Sequence, residues 1–169
     1  MNKPYTILSA VLFFVIFLQG CEKSGESVTA TMVSYSDCKG LEKQKTSDEN
    51  PTALTCINYS YNSAVRRLSL VHINGGFNCC PGKISCSVTL KGDTLLIEEK
   101  EKSSLCDCNC LFDLEMYVDG VDQKSYFIEI EEPYAGDQAK LNFMFDPSVA
   151  TEGSVCVTRN MYPWGVEIY

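Results

Sequence analysis

Histidine occurs once in the 169 residues, at position 72, and tryptophan once, at 164. Any Cys–His nucleophile pair therefore has a single imidazole to draw on. Basic charge is scarce as well: 14 Lys and Arg stand against 22 Asp and Glu, for a net charge of −8. That balance argues against nucleic acid as a partner, because phosphate backbones are held by basic patches. It argues equally against a protein lying flat on an anionic membrane surface. The Gly-x-Ser-x-Gly elbow, the phosphate-binding loop and the dinucleotide fingerprint are missing. So is Cys-x-x-Cys, the spacing used in redox catalysis. No stretch after residue 31 carries a convincing 3.6-residue apolar period, so no helix is expected there.

The first residues are of a different kind from the rest. Lys3 is the only charged side chain before Cys21, and an apolar run extends from Ile7 to Leu18. Twelve helical residues cover about 18 Å, short of the ~30 Å of a bilayer core, so the run reads as a signal peptide and not as a permanent span. It ends in Leu18-Gln19-Gly20-Cys21, which resembles the bacterial lipobox. The resemblance implies cleavage before Cys21 and acylation of that residue with palmitate-like chains. Each buried methylene contributes ~0.8 kcal/mol, so two or three chains make a durable anchor. The expected organisation is a signal peptide over 1–20, the lipidated cysteine and a polar tether over 21–31, and one domain over 32–169. Removing residues 1–20 takes one Lys and no acid, so that the charge of −8 becomes −9.

Beyond the tether the apolar period is two. Ile84, Cys86, Val88 and Leu90 alternate with Ser85, Ser87 and Thr89, and Lys91-Gly92-Asp93 then turns the chain into Thr94-Leu95-Leu96-Ile97. The same alternation marks Phe112 to Val118, Tyr126 to Ile130 and Leu141 to Phe145. Further strands are expected near 28–36, 53–61, 65–73, 153–159 and 165–169. The polar run from Lys39 to Asn50 is the longest expected loop. Eight or nine short strands without a helix predict an all-β fold, an antiparallel β-sandwich with one face of each sheet wet.

Val121-Asp122-Gln123-Lys124-Ser125-Tyr126 resembles the tyrosine corner of immunoglobulin-like sandwiches, with Lys124 where the usual pattern has Gly. The chain as a whole resembles small envelope lipoproteins of Bacteroidota. That likeness rests on Asn78-Cys79-Cys80-Pro81, Cys106-Asp107-Cys108-Asn109-Cys110 and Tyr162-Pro163-Trp164-Gly165. It implies no activity.

With Cys21 assigned to lipid, nine of the ten cysteines remain: Cys38, Cys56, Cys79, Cys80, Cys86, Cys106, Cys108, Cys110 and Cys156. Export places them where disulfides form, and an odd number leaves one thiol over. Cys106, Cys108 and Cys110 share the parity of Phe112 and Leu114, so a straight strand sets all three on the core face. Two apart on one face, they lie ~6.6 Å from each other and should bridge to a neighbouring segment. Cys79, Cys80 and Cys86 supply three partners. The expectation is one six-cysteine cluster, with Cys38, Cys56 and Cys156 giving one pair and the odd thiol. The alternative is a soft-metal thiolate site on Cys79, Cys80, Cys106, Cys108 and Cys110, or redox exchange among them.

His72, in Leu68-Ser69-Leu70-Val71-His72-Ile73, is expected to be a packed or strand-end histidine. Asp113, Glu115, Glu129 and Glu131 are expected to line one outward face of two hairpin-linked strands, a solvated face that could also hold calcium. Tyr162 and Trp164 form either a cap on the core or an exposed platform for a glycan or protein partner. No catalytic residue and no cofactor are expected. The function expected is that of a non-enzymatic binding or structural module on the bacterial envelope. Its anchor belongs in the outer membrane, on the periplasmic face or at the cell surface.

Overall fold

The computed structural model describes residues 27–39, 54–103, 105–162 and 166–167, the last two and 161–162 by backbone alone. Cys21, Trp164 and the run 40–53 lie outside the described residues. All regular structure described is β.

The strands are β1 (Thr29–Tyr35), β2 (Leu54–Asn62), β3 (Arg67–Asn78), β4 (Ile84–Lys91), β5 (Thr94–Glu101), β6 (Asn109–Asp119), β7 (Tyr126–Glu131), β8 (Asn142–Phe145) and β9 (Glu152–Thr158), followed by β10 (Met161–Tyr162) and β11 (Val166–Glu167). One sheet has the order β1-β6-β3-β2-β9 and the second β4-β5-β7-β8, while β10 and β11 pair as a ribbon. The two larger sheets pack as a disulfide-braced sandwich of nine strands.

The β4–β5 hairpin forms where Gly92 and Asp93 separate two alternating runs. Lys91 pairs with Thr94, and Gly92 has φ +60°, which a two-residue hairpin turn favours. Among the described residues pairing is antiparallel with one exception, the parallel pair of β5 with β7. The reason lies in the path of the chain. After β5 it crosses to the first sheet, runs back as β6, and returns as β7 in the direction of β5. Asp113 and Glu115 therefore lie on a different sheet from Glu129 and Glu131, and the single acidic face expected on hairpin-linked strands does not form. Asp113 pairs with Lys39, Glu115 accepts from the Ser34 hydroxyl, and Glu129 pairs with Lys140 across the other sheet.

The core follows the alternation. Leu68 and Leu70 of β3 and Leu114, Met116 and Val118 of β6 face Leu95, Ile97, Ile128 and Ile130 of the opposite sheet. Each such burial contributes about 1.5–3 kcal/mol. Tyr59 stacks on Phe143 at 5.2 Å, and Phe145 meets Tyr59 and Tyr61 edge-on, which ties β2 to β8. At one end of the sandwich the buried Tyr126 hydroxyl accepts from the Asp122 amide at 3.1 Å. This is the hydroxyl-to-upstream-backbone tie expected of a tyrosine corner. The Tyr61 hydroxyl donates to the Val121 carbonyl at 2.8 Å and secures the same corner from β2.

A bulge interrupts β3. His72 pairs with Leu114 and Gly75 with Phe112, so β3 has one residue more than β6 across this step. Asn74 takes φ +62° within it. The bulge switches parity, which is why even-numbered Leu68, Leu70 and His72 and odd-numbered Phe77 are all buried. Gly75 leaves room for the imidazole: a Cβ there would lie 3.1 Å from His72 Cε1 and 2.9 Å from Leu114 Cδ1.

Candidate functional site

The other end of the sandwich collects nearly all the chemistry. There β3, β5, β7 and β9 finish while β2, β4 and β6 begin. Four of these strands extend their core-facing row by one ionisable residue: Leu68, Leu70, then His72; Leu95, Ile97, then Glu99; Ile128, Ile130, then Glu132; Val155, Val157, then Arg159. The four ionisable side chains meet inside the sandwich, at side-chain exposures of 0–1%. His72 Nδ1 lies 2.8 Å from Glu99 Oε1, and His72 Nε2 faces Glu132 Oε1 at 3.7 Å. Arg159 pairs with the other oxygen of Glu132, donates to the Ala139 carbonyl, and reaches the Thr55 hydroxyl at 3.3 Å. Three buried atoms, His72 Nε2, Glu99 Oε2 and Glu132 Oε1, have no hydrogen-bond partner among the described residues.

Burial, the largest effect on His72, opposes its protonation, but the charge and hydrogen bond of Glu99 and the charge of Glu132 outweigh it and raise its pKa above 6.5. Burial also pushes Glu132 above the usual carboxylate range, against the pull of His72 and Arg159. With His72 charged and both carboxylates ionised the tetrad is neutral overall. His72 thus has an orienting acid, as a catalytic histidine requires, but its second nitrogen faces Glu132 and no thiol. It is a packed histidine, as expected. Glu99, Glu132, Arg159 and Thr55 were not expected here. The signal of Glu99, Glu132 and Arg159 in the sequence is the parity each shares with the apolar row before it, and that of Thr55 is the parity it shares with Ile57 and Tyr61 after it.

The sulfur lies at the same end. Four disulfides join Cys38 to Cys110, Cys56 to Cys156, Cys79 to Cys108 and Cys80 to Cys106. The expected cluster is thus corrected in two respects. Cys110 bridges to Cys38, and Cys86 is the free thiol among the described residues. Nor do Cys106, Cys108 and Cys110 form one core-facing row: β6 begins only at Asn109, leaving Cys106 half-buried and Cys108 exposed in the loop, while Cys110 is 4% exposed. Cys86 could not join, because it sits opposite Glu99 in the β4–β5 register, away from the loop. Burial and the Glu99 charge push its thiol up to about 11, which keeps it protonated and a poor nucleophile.

Asn78 organises the loop. Its side-chain amide donates to the carbonyls of Cys106 and Cys108 at 2.6 and 2.9 Å. Its side-chain oxygen accepts from the amides of Cys80 and Cys106 at 2.9 and 3.2 Å. The backbone amide of Asn78 donates to Glu101, which also accepts from Tyr134 and raises that phenol to about 12. Asn78, Cys106, Asp107, Cys108 and Tyr134 line a polar depression of about 400 Å³. The sulfurs of Cys38, Cys79 and Cys110 all lie within 4.8 Å of one another, so two of the disulfides touch. Of the soft-metal set expected from sequence, Cys79 and Cys110 belong to this group, Cys38 joins them, Cys108 is bonded to Cys79, and Cys80 and Cys106 form a separate bridge; all five of the set are in disulfides and so present no thiolate.

A second cavity of about 400 Å³ runs between the edge strands β1 and β4, with Val33, Tyr35, Lys83 and Cys86 among its lining residues. The platform expected at Tyr162 and Trp164 falls outside the described side chains; only the backbone pairing of Tyr162 with Val166 is seen. Comparison of the chain with protein-family models, curated proteins and solved structures finds no match.

Proposed function

We propose that this chain is a lipid-anchored protein of the bacterial cell envelope whose β-sandwich serves as a non-enzymatic binding or structural module. The observation that carries the reading is the disulfide bracing, which takes up eight of the nine cysteines after Cys21 and suits an exported domain in an oxidising compartment. Leu18-Gln19-Gly20-Cys21 supplies the anchor and the membrane as partner. The cavity between β1 and β4, flanked by exposed Val33 and Tyr35, is where a protein or glycan partner fits best. The test is expression in a bacterial host with radiolabelled palmitate. The native chain should carry label and fractionate with membranes, and Cys21→Ser should lose both. Label retained by Cys21→Ser refutes the anchor.

A second reading, a lipoprotein that handles thiols, is favoured by the contact of the Cys38–Cys110 and Cys79–Cys108 bridges, since a thiol freed in one lies close to the other; its soft-metal form requires both bridges to be reduced. Elemental analysis tests that form. Stoichiometric zinc or copper supports the soft-metal form of the second, and metal-free protein with eight cysteines oxidised removes that form and leaves the first reading and thiol exchange.

A further inference from the structure

The cysteines of the loop differ in exposure in an ordered way. Cys108 is exposed and lines the open polar depression; its partner Cys79 is half-buried; Cys110 is buried, and its partner Cys38 is exposed. Cys79 Sγ lies within 4.8 Å of both sulfurs of a bridge to which it does not belong. The Cys79 backbone is held in place by the hydrogen bond its amide donates to the Cys108 carbonyl at 2.9 Å and by the Asn78 contacts on either side. A thiolate released on Cys79 is thus presented to a second disulfide by a fixed backbone.

We propose that Cys108, Cys79, Cys110 and Cys38 form a thiol–disulfide relay that accepts a low-molecular-weight thiol at the surface. The proposal rests on the thiol-handling reading and is independent of the lipid anchor. In the first step the external thiolate attacks Cys108 Sγ. A mixed disulfide forms on Cys108, the Cys79–Cys108 bond breaks, and its electron pair leaves on Cys79. In the second step the Cys79 thiolate attacks Cys110 Sγ. The Cys79–Cys110 bond forms, the Cys38–Cys110 bond breaks, and the electron pair leaves on Cys38, where water supplies the proton. No net oxidation or reduction occurs within the relay: one disulfide is exchanged at each step. Exposed Cys38 is the better leaving group because its thiolate is solvated, whereas a thiolate on buried Cys110 is not. Cys86 takes no part, since Glu99 and burial keep it protonated.

Differential alkylation tests this on the full chain. The Cys108→Ser variant leaves Cys79 without its partner. Thiols free at quenching take a first reagent; after reduction the rest take a second, and each site is read by peptide mass spectrometry. The relay predicts the first label on Cys38 as well as Cys79, with Cys38 holding about a tenth or more of it, as pairings within tenfold of one another require. First label confined to Cys79, Cys86 and any unacylated Cys21, with none on Cys38, overturns the proposal. Cys56→Ser is the control: its new thiol, Cys156, should hold the label without spread. Should Cys108→Ser fail to fold, the native chain is pulsed with limiting reduced glutathione. A glutathione adduct on Cys108 with the free thiol on Cys38 supports the relay. An adduct with the free thiol confined to Cys79, or no adduct on Cys108, overturns it.

Discussion

Replacing Arg159 by Met should unfold much of what this protein has in reserve. Arg159 is 2% exposed and is the cation beside Glu132, itself 8% exposed. Removing one partner of a buried ion pair leaves the other charge uncompensated, at a cost of about 3–5 kcal/mol, against ~5–15 kcal/mol for a whole domain. With a urea slope of ~2 kcal/mol/M the midpoint should fall by about 2 M, measured by circular dichroism with the disulfides intact. The loss should shrink as pH falls toward 5. Glu132 already holds its proton above the usual carboxylate range, and a protonated Glu132 no longer needs the cation. Arg159→Met with Glu132→Leu should recover most of the loss, because an apolar pair of similar volume replaces a buried ion pair at little cost. Recovery should be incomplete, since Arg159 also donates to Thr55 and to the Ala139 carbonyl. A double-mutant cycle should give a coupling above about 2 kcal/mol. A single-variant loss below about 1 kcal/mol, or a double variant as poor as the sum of the singles, would show that the tetrad is not a coupled buried network.

The tetrad also sets a pH dependence. His72 is the only histidine, so in untagged protein its Cε1 proton gives one titrating NMR signal, and the midpoint should lie above 6.5; a midpoint at or below 6.5 contradicts the geometry. Because the folded pKa exceeds the unfolded one, His72 contributes its stability in full below about pH 6.5 and loses it as pH rises through the folded midpoint; His72→Gln should remove that slope from a melting series. Thiol titration of the denatured, unreduced, lipidated protein should find one free thiol, and peptide mapping should place it at Cys86. In the folded state Cys86 should alkylate about 100-fold more slowly at pH 7 than a thiol of pKa 9, given its rise to about 11. Cys156→Ser should destabilise at least as much as Cys108→Ser: the bridges span separations of 100 and 29 residues, worth about 4.7 and 3.6 kcal/mol of loop-closure entropy, and chemical denaturation of the two variants will rank them.

The sandwich was legible because each strand carries its own evidence of period. Phe112, Leu114, Met116 and Val118 need no partner in view to mark one face of β6, and all four are buried. Gly92 announces its hairpin by the backbone it alone tolerates well. What could not be read is what depends on two strands at once. The parallel pairing of β5 and β7 follows from the chain changing sheets twice, and no local pattern records which sheet a strand joins. Cys110 found Cys38 because Lys39 bridges to Leu111 and sets the residue before it beside β6. The bulge at Asn74 shifts parity within β3, so a row read from Leu68 onward predicts the wrong face for Phe77. The tetrad lies between these cases. His72, Glu99, Glu132 and Arg159 each continue an apolar row with a charge, which in any one strand is the ordinary sign that the strand has left the core. Only when four strands do so at the same end of one sandwich does the charge stay inside. There, opposite charges supply to one another part of what water supplies elsewhere, although His72 Nε2, Glu99 Oε2 and Glu132 Oε1 find no hydrogen-bond partner among the described residues, and a strand end becomes a buried site.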